Sequence, residues 1–168
     1  LDLTTDLGLP VAVALARAAS DGRWCIGFGA HLATDLAAER AVTELVQLFR
    51  ADGRDGPPPW NAPPGSPEAH LFPAGTAAAA RGPVPMEGRG SDILAALVAH
   101  AAGHGLETFA TELTHPEIGM PVVKVTVPGL RHFWPRFGPG RLYDVPVRMG
   151  WRTEPIAEAA LNPVPLFV

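Results

Sequence analysis

The chain holds one cysteine (Cys25), one lysine (Lys124) and one tyrosine (Tyr143) among its 168 residues. A lone thiol excludes an internal disulfide and fits a reducing cytoplasm. No apolar run approaches the ~20 residues needed to span a bilayer, and the start of the chain lacks signal-peptide form, so no membrane role is read from it. Basic residues never form a run, and the net charge of −4 leaves no cationic footprint for nucleic acid. What the chain does have is apolar residues, 47% of the total, enough for one domain with one core. Its glycines and prolines, 18 and 19 in number, crowd into one region.

That region is 52–90, with DGRDGPPPWNAPPGSP followed by GTAAAARGPVPMEGRG. No amphipathic period survives there, so it reads as a long loop with at most a short structured piece around His70 to Phe72. Before it, Leu9 to Arg17 and Arg23 to Gly29 read as paired strands joined by the Ser20-Asp21-Gly22 turn. A helix follows from a cap at Thr34 or Asp35 to about Phe49 or Ala51. After the loop, Ser91 is expected to cap a helix over Asp92 to His104, with Ile93, Leu94, Leu97 and Val98 inward and Gly105 ending it. Leu106 to Glu112 and Pro121 to Val127 read as strands, and Arg131 to Tyr143 as an irregular aromatic stretch holding Phe133, Trp134 and Phe137. The expected class is α+β, a mixed β-sheet packed against two main helices.

The chemistry concentrates in GFGAHLATDLAAERAVTELVQLFR, Gly27 to Arg50. Helical periodicity puts Arg40, Glu44 and Gln47 on one face, with Arg50 near its edge, opposite Ala41, Val42, Leu45, Val46 and Phe49 as expected core. Two readings of that row stand side by side. Arg40 and Glu44 are spaced as an ordinary surface pair, and a carboxylate followed one turn on by an amide is also an oxygen donor set suited to Mg²⁺. Arg141, in GPGRLYDVP, is either a phosphate-neutralising cation or the partner of Asp144. His31, in the Gly27-x-Gly29-Ala30-His31 turn, either faces a ligand or merely follows a steric turn. His100 and His104 have a zinc-compatible i, i+4 spacing but no HExxH, and Cys25 between Trp24 and Ile26 reads as a buried structural thiol.

The segment GAHLATDLAAERAVTELVQ resembles the nucleotide-site motif of the YcaO family, a Gly-Ala-His turn followed by R-A-x-T-E-x-x-Q. LDLTTDLGLPVAVALA (Leu1 to Ala16), with its Asp-x-Gly-x-Pro turn, resembles the strand entering that region. The run from Glu112 to Trp151, with its signatures PGLR and GRLYDVPV, and the terminal Asn-Pro-x-Pro resemble the family's C-terminal part. The resemblance implies an ATP- and Mg²⁺-dependent cyclodehydratase acting on a ribosomally made precursor peptide, of the kind that builds thiazoles and oxazoles in bacteriocin-type products. In the family a Cys, Ser or Thr side chain attacks the preceding amide carbonyl. ATP phosphorylates the resulting oxyanion, and loss of phosphate leaves an azoline. Relatives make thioamides or amidines instead. Phosphorylation converts a poor leaving group into a good one, so catalysis is mainly positioning and charge neutralisation.

Carried onto this sequence, the resemblance implies Glu44 and Gln47 as metal residues. It implies Arg40, Gln47, Arg50, His31 and Arg141 as nucleotide-binding residues, and Pro163 and Pro165 in a C-terminal tail (162–168) that enters the active site. A rigid polyproline form suits that placement. Only one Pro-x-Pro is present, which leaves thioamide or amidine chemistry open, and the tail is also open to simple packing on the core. The family's other nucleotide motif, S-x-x-x-E-x-x-E-R, occurs nowhere in the chain. The expectation is therefore that residues 1–168 form one partial domain, the C-terminal part of a YcaO-type domain, inactive in isolation. A leader-peptide-binding partner protein and self-association are further expectations. The rival is a non-catalytic member that binds or scaffolds a precursor peptide.

Overall fold

The computed structural model describes residues 1–17, 24–51, 86, 88–131 and 138–161. They belong to two compact units, Leu1–Val84 with Ile156–Val168, and Pro85–Pro155. The first unit is built on a hairpin. Strand β1 (Val11–Arg17) pairs antiparallel with β2 (Trp24–Ala30), in the register Val13↔Phe28 and Leu15↔Ile26. Leu1 to Leu3 run along the other edge of β1, with the Leu3 N–H on the Val11 carbonyl at 2.8 Å and the Val13 N–H on the Leu1 carbonyl at 2.9 Å. Strand side chains alternate between faces, so Ala12, Ala14 and Ala16 share one face with Cys25, Gly27 and Gly29. That face holds nothing larger than a thiol. On it lies helix α1 (Thr34–Ala51), rich in Ala, Leu, Glu and Arg, with Asp35 in its first turn.

The contact is between backbones. A Cβ on Gly27 would stand 2.3 Å from the Ala41 carbonyl oxygen and 2.3 Å from the Leu45 nitrogen. One on Gly29 would stand 2.1 Å from the Ala37 oxygen and 2.4 Å from the Ala41 nitrogen. Glycine is required at both positions, because the colliding atoms are main chain and cannot swing aside. The buried stripe of α1 is correspondingly Ala37, Ala41 and Leu45, spaced by one turn. Val42 and Val46, expected in the core, are 54% and 44% exposed instead. Their side of α1 faces away from a hairpin that has room only for the Ala37–Ala41–Leu45 stripe.

In the second unit, helix α2 (Gly90–Gly103) ends in a Schellman motif: the Leu106 N–H reaches the Ala101 carbonyl at 3.0 Å and the Gly105 N–H the Ala102 carbonyl at 2.9 Å. Gly105 has φ 72°, as the expected C-terminal glycine requires. The N-cap is Arg89 rather than Ser91: the Asp92 carboxylate reaches back to accept the Arg89 N–H at 3.0 Å. No residue of α2 is buried, and of its expected apolar face Leu94 and Val98 are exposed. Strands β3 (Phe109–Glu112) and β4 (Val123–Thr126) pair antiparallel, and all eight residues are exposed. Arg141 to Tyr143, the end of the stretch expected to be irregular, open helix α3 (Arg141–Arg148), which continues despite Pro146 within it. Among the described residues of this unit, Leu106, Tyr143 and Val145 are buried.

The α+β class holds. Among the described residues the strands form two separate antiparallel pairs, where one mixed sheet was expected. The Ser20–Gly22 turn, most of the 52–90 loop, and Phe133, Trp134 and Phe137 lie outside the described residues. No described helix is long and apolar enough to cross a membrane. Two outcomes follow from the packing. Gly29→Ala should destabilise the chain by at least ~1–3 kcal/mol through overpacking, whereas Gly103→Ala, with open space around its Cβ position, should stabilise it by ~0.5–1 kcal/mol in urea unfolding. The exposed Ile118, Met120, Leu94, Val125 and Val123 should drive concentration-dependent association, and size-exclusion chromatography giving a monomer at all concentrations would contradict this.

Candidate functional site

The outer edge of β2 organises the first group of polar side chains. Val13 spends its N–H and C=O on Leu1, so Val13↔Phe28 is a pair without mutual hydrogen bonds. The N–H of Phe28 and the carbonyl of Ala30 therefore point away from β1. Two charged residues one turn apart on α1 meet them. Glu44 accepts the Phe28 N–H through Oε2 at 2.8 Å, and Arg40 donates from Nη1 to the Ala30 carbonyl at 3.2 Å. Among the described residues no ion pair joins Arg40 to Glu44, so the surface-pair reading gives way to two separate anchors on one strand. Glu44 is half-buried and Arg40 exposed.

His31 directly follows that edge. Its Nδ1 accepts the Ala33 N–H at 3.0 Å, which sets the neutral ring as the Nε2–H tautomer and makes Nε2 a donor. A donor suits a phosphate or carbonyl oxygen and does not suit a metal ion. Gln47 lies exposed one turn beyond Glu44, and Arg50 lies on α1 with only its backbone described. The structure thus gathers Arg40, Glu44, Gln47 and His31 on α1 and the turn before it. Pro163 and Pro165 lie outside the described residues. Cys25 is half-buried, not buried, and its thiol lies 3.5 Å from the Leu45 carbonyl as a weak donor against α1. The rings of His100 and His104 lie tilted at 57° with centroids 4.6 Å apart, and His104 Nδ1 is engaged by the His100 carbonyl at 2.9 Å.

Arg141 belongs to the second unit, at the N-terminus of α3, where it lines a cleft of about 500 Å³. Arg131, Arg148 and His104 line the same cleft, and among the described residues no carboxylate does. Arg131 also donates from Nη2 to the carbonyls of Gly138 and Pro139, bracing the turn into α3. Asp144 is exposed. Of the cleft residues, Arg131 and Arg148 carry no site expectation from the sequence, and His104 stands there only as a zinc-compatible partner of His100. Arg141 and Arg148 are seven residues apart and so share a helix face, a signal hidden because Pro139, Gly140 and Pro146 argue against a helix.

The donor chemistry fits a magnesium ion that keeps most of its own ligands. Among the described residues no three His, Cys, Asp or Glu side chains converge on one point, so there is no all-protein cage. Mg²⁺ does not need one: it retains waters and substrate phosphate oxygens and takes one or two protein oxygens. Glu44, with one oxygen held by Phe28 and the other open, and the amide of Gln47 supply such oxygens.

Solved structures share this arrangement of the chain. The heterocyclase TruD is 39% identical with a TM-score of 0.88, over 100% of this chain and 25% of that one. A heterocyclase in complex with substrate and cofactor is 38% identical with a TM-score of 0.78, over 99% of this chain and 24% of that one. The chain thus spans about a quarter of the length of either. No curated protein matches the sequence. The profile of the ATP- and Mg²⁺-binding YcaO cyclodehydratases matches residues 1–131, which contain α1 and the β2 edge with Glu44 and Arg40 upon it. By that match and by its likeness to the two heterocyclases, the chain belongs to the YcaO cyclodehydratase family.

Proposed function

We propose that this chain supplies part of the Mg–ATP site of a peptide cyclodehydratase, an enzyme that phosphorylates a backbone amide oxygen of a ribosomally made precursor peptide to form an azoline. The observation that carries the reading is the anchored pair on α1: a carboxylate with one oxygen fixed and one open, beside an arginine fixed by one of its five donors. Glu44, with Gln47, holds the magnesium ion, whose chemistry is to neutralise and orient the phosphates. Arg40 presents guanidinium donors to phosphate oxygens and His31 presents Nε2–H, while Arg50 is assigned to the nucleotide by the family resemblance alone. Arg141, which the family resemblance assigns to the nucleotide, lines a cleft of the second unit in which, among the described residues, no acid is found. Pro163 and Pro165 belong to the tail that the family resemblance assigns to the active site.

The chain does not turn over peptide alone. Supporting this, S-x-x-x-E-x-x-E-R does not occur in it, and both matched heterocyclases are about four times as long. The peptide substrate is supported by the heterocyclase that was solved with substrate and cofactor.

The test is calorimetric titration of Mg–ATP into the chain. Weak magnesium-dependent binding is expected, reduced at least about tenfold (~1.4 kcal/mol) in both Glu44→Ala and Glu44→Gln. The two variants should separate in stability. Gln retains an acceptor for the Phe28 N–H and should unfold near the wild-type midpoint, while Ala leaves that group without a partner and should cost ~1–3 kcal/mol. Equal binding by wild type and Glu44→Gln would sink the metal assignment and favour a precursor-binding scaffold. Phosphate release on adding a precursor peptide to the chain would show that the chain carries the whole site.

A further inference from the structure

We propose that the outer edge of β2 is a positioning device for the Glu44 carboxylate, with Gly27 as the residue that sets its depth; this rests on the Mg–ATP reading above. A glutamate on a helix surface ordinarily samples many rotamers. Glu44 does not have that freedom here, because Oε2 accepts the Phe28 N–H at 2.8 Å. That N–H is not shared with the β1–β2 ladder, since Val13 is committed to Leu1 on its other side. Among the described residues Oε1 has no hydrogen-bond partner. The carboxylate therefore presents one defined oxygen to a cation. The second is reserved for the strand.

Gly27 fixes where that oxygen lies. A side chain there would collide with the Ala41 carbonyl oxygen and the Leu45 nitrogen at 2.3 Å, and with the Leu45 Cα at 2.8 Å. These atoms bracket Glu44 along α1, and all are backbone, so only displacement of the helix relieves the clash. Displacement carries the carboxylate away from Phe28. Arg40 obeys the same rule one turn earlier: Nη1 is tied to the Ala30 carbonyl, next to Gly29, whose Cβ position lies 2.9 Å from the Arg40 Cβ. Gly27 touches no ligand; it acts through Glu44.

The test is nuclear magnetic resonance on the uniformly ¹⁵N-labelled chain. Mn²⁺–ATP serves as the paramagnetic probe, because line broadening detects weak occupancy, and Mg²⁺–ATP as the diamagnetic reference. The expected result is selective broadening of the Phe28 and Glu44 amides by Mn²⁺–ATP, with the Phe28 amide as slow to exchange with solvent in saturating Mg²⁺–ATP as without it. In Gly27→Ala, judged folded by unchanged resonances of the β3–β4 pair and of β1, the Mn²⁺–ATP concentration giving half-broadening should rise at least about tenfold. Gly103→Ala should leave it unchanged. Broadening accompanied by fast exchange at Phe28 would overturn the proposal alone, since Oε2 would then leave the strand for the metal. A folded Gly27→Ala with the wild-type midpoint would likewise remove Gly27 from its role. Absence of any broadening in the unaltered chain would overturn the Mg–ATP reading and the proposal together. If Gly27→Ala does not fold, the Phe28 exchange rate in the unaltered chain decides the matter.

Discussion

The first unit depends on one contact, the seating of α1 directly on the backbone of β2 at Gly27 and Gly29. Helices usually lie on sheets through layers of side chains, and the gap between them is set by Leu, Ile and Val. Here the hairpin face offers only Ala, Cys and Gly, and the helix answers with Ala37, Ala41 and a single larger residue, Leu45. Dispersion between closely packed main-chain atoms replaces burial of large side chains. The arrangement tolerates no added atom at its centre. It also brings the flank of α1 level with the edge of β2, close enough for side chains to reach strand amides.

That proximity changes the meaning of the Arg40–Glu44 spacing. In an isolated helix the two would be expected to pair with each other for a few tenths of a kcal/mol. Against β2, each finds a backbone group that would otherwise lack a partner, and a hydrogen bond to a charged side chain is worth more than an exposed ion pair. The same step orients both groups. Folding and site assembly are thus coupled: the interactions that satisfy the strand hold a carboxylate and a guanidinium in fixed positions.

How far the sequence is legible depends on the scale of the interaction. The β1–β2 hairpin, α1, and the β3–β4 pair follow from period and punctuation, and their strand and helix assignments survive with ends shifted by a few residues. The row Arg40, Glu44, Gln47 is visible because helical spacing is local. The exposure of Val42 and Val46 is not visible, since periodicity marks apolar residues without saying how wide a stripe the partner surface accepts. Helix α3 is concealed by Pro146, and with it the shared face of Arg141 and Arg148. The engagement of Glu44 by Phe28 has no sequence signal at all, because its donor is a backbone amide and its cause is the pairing of Val13, directly opposite Phe28, with Leu1 on the other edge of β1. Gly27 and Gly29 look like turn residues in the sequence, and their role in the fold is steric relief beneath a helix.

An exposed strand edge is normally a template on which another chain can add, and proteins guard such edges against fibril-like growth. The edge of β2 is guarded at Phe28 and Ala30 by groups of opposite charge, Glu44 and Arg40. An extended peptide brought to this surface would have to evict both before it could zip onto the strand. The two side chains thus keep the edge from capture by any extended segment that meets it.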